Sequence, residues 1–188
     1  MPLSEPAERE LLHLRDIALR GYRRTDGLFD IEAEIADAKT YGFTVGDFGQ
    51  LEPGQKLHNM LVRMTVDTTL TIVACEAFTV RGPFVACPGG AETFGRLAGL
   101  TIRSGFLREA NARIGGVHGC THIRELLQQM ATVAVQTTFI LPARQKDDSS
   151  NAGRMIDTCH AYAADGAVVK RRWPDRYTGA GASAETAV

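Results

Sequence analysis

FDIEAEIA, the stretch at residues 29–36, decides the fold because its apolar and polar residues alternate. The odd-numbered positions from Phe29 to Ile35 are apolar, and the acids Asp30, Glu32 and Glu34 lie between them. A period of two residues is that of a β-strand with one buried face. The stretch therefore predicts a strand that lays one side on a core and leaves the other half-solvated.

The neighbouring segments extend this strand into a sheet. Residues 60–66 and 70–75 also alternate, and Asp67-Thr68-Thr69 between them is a turn, so they predict an antiparallel hairpin. Residues 42–54 are rich in glycine and are expected to form a loop. For residues 7–20 a short helix and an extended lead-in both remain open.

Helices are predicted after the hairpin. A short helix is expected over 91–98, with Pro88 suited to its first turn, and another over 104–114 with Ser104 as its cap. The main helix is expected over 121–138 with Thr121 as N-cap, because its apolar residues form one stripe. The stripe consists of Ile123, Leu126, Leu127, Met130, Ala131 and Ala134.

The remaining chain predicts a last hairpin and a tail. Residues 155–162 and 167–172 are expected to pair around the turn Asp165-Gly166, and residues 179–188 to form a disordered tail. Strands, then helices, then strands favour an α+β fold, with a mainly antiparallel sheet and helices packed on one face. One domain over residues 1–178 is the expected organisation.

Composition limits the classes of function. The chain has 188 residues, 44% of them hydrophobic and 23% charged, with a net charge of -1. These values suit one sizeable core and show no basic field for nucleic acid or a membrane surface. The acidic N-terminus lacks the features of a signal peptide, so a cytoplasmic protein is expected. A small-molecule substrate is the expected partner, and a homodimer remains open.

The candidate chemistry begins in the run GGVHGCTH at residues 115–122, directly before the main predicted helix. Cys120 falls at or just before a helix N-terminus, where free N–H groups and the helix dipole favour a thiolate. A thiolate beside the imidazole of His122 is either a metal ligand or an activated nucleophile. His118 adds a third polar group, as a further ligand or a proton carrier.

Cys87 and His58 complete the candidate site. Cys87 precedes a predicted helix, and His58 begins a predicted strand. Together with Cys120 and His122 they form a set of two thiols and two imidazoles, which suits tetrahedral zinc or an iron site. The spacing of the four along the chain matches no zinc-finger pattern, so their convergence is a hypothesis about the fold.

Other polar residues have simpler explanations. Cys75 lies in mid-strand and is expected to pack in the core. Cys159 and His160 are adjacent on a predicted strand, so one is expected inside and the other outside. The acids of the first strand are expected to lie on a solvated face or rim of that strand. The alternative is that one of these carboxylates is buried near the Cys/His cluster and acts as an acid or base. These acids are Asp30, Glu32, Glu34 and Asp37.

Three segments of the chain carry a resemblance to a known family. They are GYRRTDGLFDIE at 21–32, LHNM at 57–60 and GGVHGCTHIRELL at 115–127. Together they resemble the bacterial family catalogued as domain of unknown function 2889, over most of residues 20–175. That family usually has Asp at the position of Asn59, and its name implies no activity.

A more distant resemblance is to U-type iron–sulfur scaffold proteins. It rests on the order of a polar strand start, a hairpin, a Cys before a helix and a second Cys opening a later helix. The resemblance implies that His58, Cys87 and Cys120 are ligands, with His122 or His118 completing the set. Because this chain has His at the first position, zinc or iron is a better expectation than an iron–sulfur cluster.

The leading hypothesis is a metal-dependent enzyme, a hydrolase or lyase, that acts on a small organic acid, ester or lactone in bacterial catabolism. Zinc or iron held by His58, Cys87 and Cys120 would polarise a carbonyl or lower the pKa of bound water. One alternative is a metal-free enzyme with Cys120 as its nucleophile. Another is a non-catalytic scaffold or accessory protein that carries a metal or cluster to a partner.

Overall fold

The structure, a computed structural model, describes residues 3–141, 152–153 and 155–180. The chain divides into two compact units, Met1–Thr138 and Phe139–Val188. The expectation of a single domain over residues 1–178 stays a prediction. Of the predicted tail at 179–188, residues 181–188 lie outside the described part of the chain.

The first unit is built on a four-stranded antiparallel sheet of order β1-β2-β5-β6, with a separate two-stranded sheet of β3 and β4. The strands are β1 (His13–Arg23), β2 (Phe29–Lys39), β3 (Phe43–Val45), β4 (Gly49–Leu51), β5 (Lys56–Val66) and β6 (Ile72–Arg81). The predicted alternation is confirmed, and it continues along β2 as far as Asp37. The N-terminal lead-in is a strand, and the predicted glycine-rich loop contains the short hairpin of β3 and β4.

The predicted hairpin is also confirmed, as strands β5 and β6. The register of β5 against β2 shifts where Asp37 pairs with His58 and Ala38 pairs with Lys56. On its other side, the register of β5 against β6 shifts next to Asn59. Irregularities of this kind re-aim side chains and occur often beside active sites. Both of them flank the dipeptide His58-Asn59.

Three helices of the first unit follow the sheet: α1 (Cys87–Glu92), α2 (Phe106–Ile114) and α3 (Thr121–Thr137). Helix α1 packs against β6, and α3 packs against β1, β2 and β5. Most of the predicted stripe of α3 is fully buried, and its members are Ile123, Leu126, Leu127, Met130 and Ala134. The fold is therefore α+β, as predicted, because the amphipathic helix covers the apolar side of the sheet.

The helix ends differ from the predictions. Helix α2 is preceded by Gly105 at φ 87° rather than capped by Ser104, because the chain enters that helix through a left-handed residue. In α3 the cap residue is Cys120, with extended backbone, and Thr121 is the first helical residue. Helix α1 begins at Cys87, earlier than predicted, and Pro88 does lie in its first turn.

The second unit corrects the prediction of a last hairpin. The described residues form α4 (Ala167–Arg172) and short 3₁₀ turns at His160–Tyr162 and Pro174–Arg176. Val169 and Trp173 are buried together with Ala152 in the core of this unit. Residues four apart share one face of a helix, so Val169 in α4 and Trp173 at its C-cap reach the same core. Cys159 and His160 are both exposed, so the expectation of one buried partner is wrong.

Candidate metal centre

Asp37 is a buried carboxylate at the end of the core-facing side of β2. Its relative exposure is 1%, and its cross-strand partner on β1 is Arg15. The guanidinium of Arg15 donates from Nε to Oδ1 at 2.7 Å and from Nη2 to Oδ2 at 2.8 Å. Arg15 also donates to Glu125 of α3 at 2.8 Å. A bidentate pair of this kind fixes the plane of the carboxylate.

His58 is the partner of Asp37 on the other neighbouring strand, β5. Its Nδ1 lies 3.0 Å from Oδ2 of Asp37, and its relative exposure is 8%. Burial acts to raise the pKa of Asp37, but the hydrogen bonds and charge of Arg15, with those of His58, outweigh it and hold this pKa at about 2. An ionised carboxylate only accepts hydrogen bonds, so Nδ1 of His58 carries the proton. In neutral His58 the lone pair is then on Nε2.

His122 brings a second imidazole to the same place. It lies in the first turn of α3, and its ring centroid is 3.8 Å from that of His58 at an interplanar angle of 32°. Burial lowers the pKa of His58, and the charge of His122 lowers it further, while the hydrogen bond to Asp37 acts in the opposite direction. Possible ligand atoms of Asp37, His58 and His122 all lie within 4.8 Å of one another.

The two thiols of the predicted set lie beside glycines. A Cβ on Gly82 would be 2.9 Å from Sγ of Cys87, so the thiol packs directly on that glycine at the end of β6. A Cβ on Gly90 would be 3.1 Å from the backbone nitrogen of Cys120. Helix α1, which begins at Cys87, therefore touches the start of α3 through Gly90. Both thiols are half-buried.

The structure brings together only part of the set that the sequence predicted. His58 and His122 are in ring contact, across 64 positions of sequence (122 minus 58). Among the described residues, the group with metal-ligand spacing contains Asp37 and these two histidines, and it includes neither thiol. His118 is exposed in the turn Gly116–His118. The roles of Cys87, Cys120 and His118 stay predictions.

Arg15 is the site member that the sequence reasoning missed, and Asp37 entered it only as one of four acids that could be buried near the Cys/His cluster. The prediction placed Asp37 with the solvated acids of β2. A signal was present in the sequence, because Asp37 is at an odd-numbered position of the strand, as are the apolar residues Phe29 and Ile35. The other acids of the strand are at even-numbered positions, which face the opposite side. Arg15 gave no comparable signal, since its strand is exposed over much of its length.

The donors differ in what they can still bind. The oxygens of Asp37 already accept two bonds from Arg15 and one from His58, which leaves little of the capacity of a carboxylate. A carboxylate that holds Nδ1 of a histidine is a common device for orienting a metal-binding imidazole. The geometry therefore favours His58 and His122 as ligands, with Asp37 as the group that orients His58.

A family model described as "Protein of unknown function (DUF2889)" matches residues 13–136 of this chain. The chain belongs to this family. The matched segment runs from the start of β1 almost to the end of α3, and so contains every residue of the candidate centre. No significant match is found among curated proteins or among solved structures. No helix in the described residues has both the length and the apolar character needed to cross a bilayer.

Proposed function

We propose that this protein is a metal-dependent enzyme that acts on a small organic acid, ester or lactone, as a hydrolase or lyase. The observation that carries the proposal is the group of Asp37, His58 and His122, whose possible ligand atoms lie within 4.8 Å of one another under the first turn of α3. We place its activity in the cytoplasm of a bacterium, in catabolism of small molecules, and a homodimer is the alternative to a monomer.

The donor set decides which metals fit. Two imidazoles with thiolates suit zinc or iron, and two imidazoles with one carboxylate are typical of non-haem iron. Cys120 directly precedes the helix that carries His122, and Cys87 begins the helix that touches the start of α3 through Gly90. A metal bound there would polarise a substrate carbonyl or lower the pKa of bound water. Asp37, itself bound by Arg15, holds the imidazole of His58 in place.

Metal analysis of the purified full chain tests this proposal. We expect about one equivalent of zinc or iron, and its loss in His58→Ala and in His122→Ala. The matched control is His118→Ala, which removes an exposed imidazole and should keep the metal. Asp37→Asn should weaken metal binding roughly 10- to 100-fold, the usual effect of losing an orienting partner. Cys87→Ser and Cys120→Ser show whether the thiols belong to the ligand set.

The proposal fails if the wild-type protein binds zinc and iron no better than His58→Ala does. A brown protein with bound sulfide would instead favour the iron–sulfur scaffold alternative. Circular dichroism of each variant separates loss of metal from loss of the fold.

A second candidate function rests on a different observation, the position of Cys120. It is the cap residue of α3, a helix of 17 residues, and the oriented imidazole of His58 is in contact with the first turn of that helix through His122. A thiolate stabilised by the helix dipole is a nucleophile. In this case Cys120 should be alkylated by iodoacetamide equally fast with and without a chelator, whereas a bound metal should protect it.

A further inference from the structure

A groove of about 350 Å³ lies beside the end of β6, outside the metal-type group. Its walls include Phe48, Phe84, Val85 and Pro88, and the first three side chains are at least half exposed. Large apolar side chains gathered at one exposed place mark binding sites more often than chance. The volume is at the lower end of the range for small-molecule sites, which is the size of one substituted ring.

The backbone explains why this groove exists. Met60 pairs with Thr79 and Asn59 pairs with Arg81, so the register shift leaves an extra residue, Val80, in β6. Because of this irregularity, three successive residues of β6, from Thr79 to Arg81, all line the groove. In a regular strand the middle one would face the opposite side of the sheet.

The opposite wall is held by one carboxylate. Asp47 accepts a hydrogen bond from the backbone N–H of Val85 at 2.8 Å, and its own N–H donates to the carbonyl of Pro83 at 3.2 Å. These two bonds join the turn that carries Phe48 to the loop that carries Phe84. The two rings are therefore positioned by the fold rather than by free loops.

Two polar groups in the groove lack a partner. The hydroxyl of Thr79 is buried without a hydrogen-bond partner, and the residue is 9% exposed. A buried polar atom of this kind costs stability unless something else satisfies it. The side chain of Arg81 makes no ion pair or hydrogen bond with any residue in the described part of the chain. A donor and a cation at one end of an apolar groove are complementary to a carboxylate.

We propose that this groove binds a small aromatic carboxylate, with the ring against Phe48 and Phe84 and the carboxylate at Thr79 and Arg81. This inference names the class of substrate. It rests on the proposed function for the reaction that the bound substrate undergoes. The carboxylate end adjoins Cys87, a ligand in the sequence-based hypothesis, because the Cys87 side chain packs on Gly82 and the methyl group of Thr79 lies within 3.4 Å of the same position.

Binding of benzoate to the full-length protein, followed by isothermal titration calorimetry, tests this inference. The neutral isostere benzamide is the second probe. Arg81→Gln should weaken benzoate binding about tenfold and leave benzamide binding unchanged, since only the anion uses the charge. Thr79→Val, which keeps the shape and removes the hydroxyl, should weaken both probes several-fold. Arg103→Gln is the matched control, an exposed arginine outside the groove, and should change neither.

The outcomes separate this inference from the proposed function. If benzoate fails to bind, or if Arg81→Gln weakens benzoate no more than Arg103→Gln does, the inference is wrong even when metal is present. If the metal is absent but benzoate binds with the expected pattern, the proposed function is wrong and the inference about the groove is confirmed. Melting temperatures identify any variant that does not fold, and Phe84→Ala, at an exposed wall position, is then the substitute: it should weaken both probes.

Discussion

The two faces of strand β2 carry acidic side chains in opposite circumstances. On the inner face, Asp37 is 1% exposed, is bound by Arg15 and His58, and has its pKa held at about 2. On the outer face, the side chain of Glu32 is 36% exposed and pairs with Arg63 at 2.8 Å. Arg63 is itself half exposed, so water screens this outer pair.

The comparison shows that the face of the sheet decides whether an acidic side chain lies in the candidate metal centre or in a surface ion pair. The inner face is covered by α3, which excludes water from Asp37 and supplies His122. The outward-facing acids of β2 are only partly buried, and they form ordinary surface pairs. The difference can be tested on three scales.

The largest effect is expected in the reactivity of Cys75, a thiol buried on the inner face of β6. Burial raises the pKa of Cys75 to about 12, and the charge of Glu76 adds to the shift. Only the thiolate reacts, so at pH 8 Cys75 should be alkylated by iodoacetamide roughly a thousandfold more slowly than an ordinary exposed thiol. Peptide mass spectrometry against Cys159, which is exposed, measures the ratio.

Unfolding in urea is the control, because it should make Cys75 and Cys159 react at similar rates. Equal rates in the folded protein would show that the inner face of β6 is open to reagent, and would contradict the burial of Cys75.

The next effect is on stability through packing. Ile35 on the inner face of β2 is 0% exposed, whereas Leu61 on the outer face of β5 is 41% exposed. We expect Ile35→Ala to lower the free energy of unfolding by about 4 kcal/mol, because it leaves a cavity under α3. Leu61→Ala should cost less than about 1 kcal/mol. Urea denaturation measures both, and similar losses in the two variants would contradict the assignment of faces.

The smallest of the three effects concerns the acids themselves. In metal-free protein at pH 7, Asp37→Asn should lower the free energy of unfolding by about 3 kcal/mol, because it breaks a buried pair. The matched change Glu32→Gln on the outer face should cost less than about 1 kcal/mol. A lowered pKa stabilises the fold at pH values above the unfolded pKa, near 4, and the contribution is lost as the pH falls towards 2.

Denaturation of wild-type and Asp37→Asn across pH 2–7 therefore sharpens the comparison. The difference between the two proteins should be constant above about pH 5 and shrink at lower pH. A difference that stays the same down to pH 2 would mean that Asp37 is not held ionised by Arg15 and His58.

The sequence predicted the elements of the first unit well where the period was strong. The alternation of β2 and the stripe of α3 each run over several turns or pairs, so local sequence is enough to identify them. It failed at the last predicted hairpin, because positions four apart, such as Val169 and Trp173, share one face both in a strand and in a helix, so their spacing does not distinguish the two. It assigned two helix caps wrongly, since Gly105 rather than Ser104 precedes α2 and Cys120 rather than Thr121 is the cap of α3, but the expectation of Cys120 at or just before a helix N-terminus is confirmed.

For the candidate centre, the sequence identified the two histidines that are in contact, but not what holds them. Asp37 was grouped with acids expected on a solvated face, with burial near the Cys/His cluster as the alternative, although its odd-numbered position pointed inwards. Arg15 could not be found, because its importance comes from the pairing of β1 with β2 at that one position. The thiols were chosen from their places before helices, and metal analysis of their variants decides whether they are ligands.

The sequence by itself determined the sheet, the covering helix and the presence of reactive side chains, because periodicity and residue chemistry are local properties. Only the tertiary structure decided that Arg15, Asp37, His58 and His122 lie together, and that a groove opens at Thr79 and Arg81. The physical reason is register. A shift of one residue between two strands turns a side chain to the other face, and the pattern of a single strand does not contain that shift.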